Sequence, residues 1–453
     1  MTDGTIFALS TPPGRGGIAV FRISGPAAGD ALRALAGGDL PPPRQARLAE
    51  LRDPAGGEVI DRGLCLWFPG PASFTGEDLV ELQLHGGRAV VAAAAAALAA
   101  LPGLRVAEPG EFTRRAFAEG KLDLAEVEGL ADLISAETEA QRRVALRQLA
   151  GGLSRPVEDW RHRLIEMAAR LEAWIDFPEE DLPDGLEASV RRDLETLLGE
   201  IRPYLDPQRA GERLREGFMV AVLGAPNVGK SSLVNALARR DVAIVSERAG
   251  TTRDVIEAHL DLAGYPVTLA DTAGLRALEA GGASEIEAEG IARALARAEA
   301  ADLRLVVFDA SLDLAVQEES RALVTAESLA VANKADLARS PLAGFAELAS
   351  APDQTLAVSA KTGAGLGALL DLLAERAEAA LGLSTAAAPL TRIRHREALA
   401  ETIACLERAA AAELPELRAE DLRLGLRALG RITGRVDVED ILDVVFQEFC
   451  IGK

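Results

Sequence analysis

A strand, a glycine-bounded turn and a helix are written into "FMVAVLGAPNVGKSSLVNALARR", residues 218–240. A short, nearly continuous apolar run ending in Gly reads as a strand covered on both faces of a parallel sheet. The turn "GAPNVGKS" from Gly224 fits G-x-x-x-x-G-K-[ST], in which glycines let backbone N–H groups converge on a phosphate at a helix N-terminus. Together they commit the surrounding chain to a doubly wound α/β unit. Lys230 is expected to reach the β and γ phosphates and Ser231 to ligate Mg2+. Asn227, Val228, Gly229 and Ser232 belong to the same loop. A strand-to-helix turn that binds nothing would account for this stretch alone.

Four further motifs remove that alternative. "GTTRD" at 250–254 offers hydroxyls to Mg2+, and Thr252 is the expected ligand. "DTAG" at 271–274 follows the strand-like "PVTLA"; Asp271 is placed to hold the metal through water, and Gly274 to sense the γ phosphate, with Thr272 and Ala273 between them. "NKAD" at 333–336 follows "SLAVA". There Asp336 can accept two protons that guanine offers and adenine does not, while Asn333, Lys334 and Ala335 frame the ring. "SAK" at 359–361 brings the Ala360 N–H to guanine O6, flanked by Ser359 and Lys361. Such a set selects GTP, because the wrong base leaves polar groups unpaired.

Hydrolysis needs an oriented water and compensation of phosphate charge. The residue after D-T-A-G is Leu275, which cannot orient water. Arg253 and Arg276 are near in sequence, and Asn227 could bind a monovalent cation where an arginine finger would place its charge. Glu285, Glu287 and Glu289 in "SEIEAEGIARA" could orient water, although acids at a helix start are also favoured by its dipole.

Around this unit the character changes twice. Residues 1–119 read as mixed α/β, with strand-like "GIAVFRISG", "GLCLWFPG" and "DLVELQLHGG". Helical periodicity fills 120–215 and returns over 379–453, so the α/β unit, 216–378, is expected to be inserted into one helical domain. Three scattered cysteines argue against a disulfide framework. The start lacks a secretory pattern and no apolar run spans a bilayer, so a cytoplasmic protein without membrane contact is expected. Seventy acidic against 49 basic side chains, net -21, oppose non-specific nucleic-acid binding. Any nucleic-acid contact must use local basic groups, such as "TRIRHRE" at 391–397 or Arg423, Arg427 and Arg431, which share a helix face. A solvated, acid-paired face is the plainer reading of both.

"GAPNVGKSS", "AIVSERAGTTRD", "DTAGLR", "NKAD", "TPPGRGGIAVFRISG", "SFTGEDLVELQLHGG", "GEFTRRAFAEGKLDLAEVEGLADLI" and the final "CIGK" together resemble the MnmE (TrmE) family of tRNA-modification GTPases over nearly the whole chain. The resemblance implies a multidomain α/β and α protein. Its parts are an N-terminal tetrahydrofolate-binding-like dimerisation domain (1–119), a discontinuous helical domain (120–215 and 379–453) and an inserted Ras-like GTPase domain (216–378). It implies a homodimer working with an MnmG-type FAD/NADH flavoprotein, in a heterotetramer or larger complex, on C5 of wobble uridines in tRNA. K+ would replace an arginine finger, held by Asn227, Ser246, Arg248 and Thr251; Glu247, Ala249 and Gly250 complete that loop at the nucleotide. Glu287, ahead of Glu285, would orient water. A 5-formyltetrahydrofolate or related cofactor would meet Arg22, Glu81 and Lys121. A GTPase switch assisting ribosome assembly without modification chemistry is the alternative.

The chain ends in "FCIGK", where Cys450 is the third cysteine. Lys453 fits neither prenylation class. The preceding "VDVEDILDVVFQEF" reads as an amphipathic helix that tethers the tail, leaving two readings of Cys450, a reactive group or a contact residue.

Overall fold

The computed structural model describes residues 4–176, 186–205, 210–240, 242, 257–271, 301–326, 328–338, 355–382 and 389–436, together with 442, 445, 446, 449 and 452. The chain forms two compact units. One comprises Met1–Ala131, Gln148–Asp193 and Ala404–Lys453, the other Asp132–Arg147 and Leu194–Ile403.

The first unit holds six strands: β1 (Thr5–Leu9), β2 (Ile18–Ser24), β3 (Arg47–Arg52), β4 (Val59–Phe68), β5 (Leu79–His85) and β6 (Leu104–Val106). They lie in the order β3-β4-β5-β2-β1-β6, antiparallel except for β1 with β6. Side chains alternate across a strand, so Phe21 and Ile23 of β2 face the core with Leu82 and Leu84 of β5. Helices Ala28–Ala36 and Arg88–Ala99 supply Leu32, Leu35, Ala94 and Leu98 to the same core. The Ala-rich run therefore packs on a sheet. Arg22 falls on the other face of β2, directly opposite Glu81 of β5.

In helix Ser154–Asp176, Val157, Trp160, Leu164, Met167 and Leu171 are buried, three and four apart, which makes one apolar stripe. It packs along helix Pro415–Thr433, which starts with Pro and ends at Gly434, φ +80°. Helical segments before and after the α/β stretch thus meet. Arg423 pairs with Glu172 and with Glu420, and Arg435 with Glu158, so the Arg423 charge is already matched at the rim. The tail is anchored too. Phe446 and Phe449 are buried among Leu124, Val127 and Phe117, and the Ser10 hydroxyl donates to the Gly452 carbonyl at 2.9 Å. Cys450 lies outside the described residues.

The second unit holds β7 (Phe218–Leu223), β8 (Glu257–Leu262), β9 (Tyr265–Asp271), β10 (Leu303–Asp309), β11 (Leu329–Asn333) and β12 (Thr355–Ala357). Their order is β12-β11-β10-β7-β9-β8, all parallel except the β8–β9 hairpin. Val220 and Val222 of β7 are fully buried, with Leu233 and Leu237 of helix Lys230–Ala238 and Leu369 and Leu373 of helix Leu366–Leu381 in the same core. This is a doubly wound, mostly parallel α/β sheet with the phosphate-motif turn after β7. The basic stretch 391–397 proves internal in part: Arg392 donates to Asp132 at 2.8 Å, where Arg215 also arrives at 3.1 Å, and Arg396 donates to Glu212 at 2.8 Å. Two of its cations join helices within the unit, so at Arg392 and Arg396 the plainer, acid-paired reading of 391–397 is the one the structure shows.

Candidate functional site

In an open parallel sheet, loops at the carboxyl ends of the strands converge on one crevice. β7 delivers the 224–231 turn, β9 ends at Asp271, β10 at Asp309 and β11 at Asn333, and β12 leads to Ser359. Two contacts require glycine in the turn. A Cβ on Gly224 (φ +143°) would sit 2.4 Å from the Val307 carbonyl, and one on Gly229 (φ +96°) 2.4 Å from Asn333 Nδ2. The second connects the phosphate motif to the base motif, because Asn333 Nδ2 donates to the Val228 carbonyl at 3.0 Å.

Lys230 is buried, and its ammonium donates to the Gly224 and Ala225 carbonyls, 2.9 Å each. Burial pulls its pKa below the usual lysine value, while Asp271 and Glu319 act in the opposite sense. Ser231 Oγ donates to the Asp271 carboxylate. A hydroxyl and a carboxylate oxygen at a helix start form a hard-donor pair that fits Mg2+, whose remaining ligands come from phosphate and water. Among the described residues no group of three or more His, Cys, Asp or Glu side chains could hold a metal by itself.

On the base side, Asn333 Oδ1 accepts the Ala360 N–H at 3.1 Å, and Asp336 Oδ1 accepts the Ser359 hydroxyl at 2.6 Å. Ser359 Oγ in turn receives the Thr362 N–H at 3.1 Å. Lys334, in the left-handed region at φ +60°, extends its ammonium to the Asn227 carbonyl (2.8 Å) and to Asp309 (2.6 Å). Asn227 is itself left-handed, φ +66°, and exposed. Asp309 was not singled out in the sequence. Its pKa is held low: burial acts upward, but the Lys334 ammonium and two bonds from Ser311 outweigh it. Its place at the end of a parallel strand was the available signal.

The structure brings together Asn227, Val228, Gly229, Lys230, Ser231, Asp271, Asn333, Lys334, Asp336, Ser359 and Ala360 through the bonds above. Ser232 and Lys361 are exposed beside them. Ser246 to Thr252, Thr272 to Gly274, Glu285 and Glu287 lie outside the described residues.

In the first unit, Arg22 Nε donates to Glu81 Oε1 at 2.9 Å, and the Arg22 guanidinium lies 5.8 Å from the centre of the Phe74 ring. A Cβ on Gly76 would be 3.3 Å from Lys121 Cε, so the loop after β4 connects all three candidates. A carboxylate, two cations and an aromatic face suit a flat heterocycle with an anionic tail. Beneath them Glu77 accepts Ser24 Oγ (2.8 Å) and the buried Arg115 (2.9 Å), and Arg115 also pairs with the buried Glu111 (3.0 Å).

A family model described as the MnmE helical domain matches residues 124–450, and one described as the GTP-binding protein TrmE N-terminus matches residues 5–121. The chain belongs to the MnmE family. The tRNA modification GTPase MnmE of Parvibaculum lavamentivorans is 56% identical, covering 99% of this chain and 100% of its own length. MnmE of Paramagnetospirillum magneticum is 55% identical over 99% of both chains, and that of Rhodospirillum rubrum 54% over the whole of both. As an MnmE-family member the protein is a GTP hydrolase acting in tRNA modification, with Mg2+ as the expected companion of the nucleotide. Among its described residues no helix is long and apolar enough to cross a membrane.

Proposed function

We propose that the protein is a K+-stimulated GTPase that acts as a homodimer with an MnmG-type flavoprotein to modify C5 of wobble uridine in tRNA. The observation that carries the reading is the bonded ring of phosphate-loop, metal and base residues at the strand ends, within a chain matched end to end by MnmE relatives. In this reading residues 216–378 form a GTPase domain inserted into a helical domain (120–215 and 379–453), behind a folate-binding-like domain (1–119).

Each residue then has a task. Gly229 and its neighbours present N–H groups to the phosphates; Lys230 exchanges its two carbonyl partners for phosphate oxygens; Ser231 and Thr252 face Mg2+. Asp336 selects guanine. Leu275 cannot position water, so Glu287 would do so, while Asn227, Ser246, Arg248 and Thr251 would hold a K+ able to supply the positive charge of an arginine finger. Replacing Na+ by K+ is expected to raise the rate of GTP hydrolysis several-fold, and equal rates in the two salts would refute the cation assignment. Arg22, Glu81 and Lys121 receive a tetrahydrofolate.

Mass spectrometry of tRNA nucleosides from cells lacking the protein tests the whole reading. The C5-modified wobble uridines should disappear and return with the gene. Their persistence would favour a GTPase that assists ribosome assembly.

A further inference from the structure

We propose that Ser320 and Asp309 are positioning residues for the nucleotide loop, gripping it at two points from the end of β10 and the segment that follows it. The inference rests on the reading of residues 224–231 as the phosphate loop. Ser320 is fully buried. Its Oγ accepts the Ala225 N–H at 2.9 Å and donates to the Val307 carbonyl at 3.1 Å. That carbonyl is the one that a Cβ on Gly224 would strike. Ser320 therefore bridges loop and strand where their backbones come closest, and sets the spacing there.

Asp309 grips the other point through Lys334, whose ammonium it shares with the Asn227 carbonyl. The carboxylate is itself fixed. Ser311 gives it both an N–H (2.9 Å) and a hydroxyl (2.6 Å), while the Gln317 side chain accepts the Asp309 N–H (2.8 Å) and donates to its carbonyl (3.0 Å). The segment 309–320 is thus built as one hydrogen-bonded piece, with one contact to residue 225 and one relayed to residue 227.

The loop needs such a grip. Asn tolerates the left-handed region better than other side chains, yet Asn227 at φ +66° still needs surroundings that hold it there. The grip fixes the loop backbone at residues 225 and 227, so loosening it lowers nucleotide affinity before it alters the chemical step. A hydroxyl that merely satisfied its own helix would have no such effect, but both bonds of Ser320 are spent on other elements.

The test uses the full-length chain with a fluorescent GDP analogue and steady-state GTP hydrolysis. Ser320→Ala should weaken GDP binding roughly tenfold, the scale of one buried hydrogen bond. KM for GTP should rise in parallel while kcat stays within about threefold, the pattern of lost ground-state binding. Ser320→Cys, which keeps a weak donor and acceptor, should recover part of the affinity. Asp309→Asn, of the same shape, should weaken GDP binding comparably, and it decides the matter if Ser320→Ala does not fold. Normal affinity in the folded variants, with only a lower melting temperature, would overturn the proposal. Lys230→Ala separates the two levels. If it binds and hydrolyses normally, the phosphate-loop reading itself has failed; if it is disabled while Ser320→Ala and Asp309→Asn bind normally, only the grip has.

Discussion

Lys230→Ala will reduce GTP hydrolysis on the order of a thousandfold, the upper end of what removing one preorganised group at a charged centre costs. The ammonium is already buried, held on the Gly224 and Ala225 carbonyls at 2.9 Å each. Taking it out of water disfavours its charge, which is the reason its pKa is lowered, and Asp271 and Glu319 offset this only in part. A site that has desolvated a cation at this cost returns most when an anion arrives, because charge-assisted bonds to phosphate replace bonds to neutral carbonyls. Lys230→Arg should not restore the rate. A planar guanidinium differs in shape and reach from the ammonium that the two carbonyls enclose. The check is single-turnover hydrolysis with the variants at matched melting temperature. A loss smaller than tenfold in Lys230→Ala would mean that the phosphates are held elsewhere.

What could be read in the sequence, and what could not, follows from sequence distance. The 224–231 turn was legible because strand, glycines, Lys230 and Ser231 are contiguous, and their local chemistry dictates local geometry. The base residues were legible because each follows an apolar strand, so a rule about strand ends could place Asn333 and Ser359 together although they are far apart in the chain. Ser320 carried no such mark. Its partner Ala225 is 95 residues away, and a serine after two glutamates at a helix start reads as ordinary. The acid partners of the stretch 391–397 could not be named for the same reason. Its arginines resemble a surface patch until the fold brings Asp132 and Glu212, 260 and 184 residues distant in sequence, against Arg392 and Arg396. Arg22 and Glu81 needed the β2–β5 register, which fixes them as direct neighbours. Without pairing partners each was one more charged residue on a strand.

Asp336→Asn carries the second large effect, an exchange of base preference from guanine to xanthine. Asp336 Oδ1 already accepts the Ser359 hydroxyl at 2.6 Å, and Ser359 is held by the Thr362 N–H. The hydroxyl accepts from Thr362 and gives its proton to the oxygen at position 336. An asparagine there keeps its carbonyl oxygen where Oδ1 was, with one lone pair for Ser359 and one for N1–H of the base, and puts its NH2 where the second carboxylate oxygen faced the 2-amino group. Guanine offers protons at N1 and at the 2-amino group, so a donor now faces a donor. Xanthine carries an oxygen at C2, which accepts from the new NH2, while N1–H still finds the amide oxygen. Since sites built on paired polar groups reject a mismatched partner by about ten-thousandfold, GTP affinity should fall by roughly two to four orders of magnitude, and XTP should support hydrolysis near the original rate. The Asn333 bonds to Val228 and Ala360 do not involve position 336, so the loop and the ring frame stay in place and the variant should keep its fold. Competition between GTP and XTP, measured on the same preparation, reads the outcome directly. An unchanged preference for GTP would remove Asp336 from base recognition and, with it, the argument that the 333–336 turn selects the nucleotide.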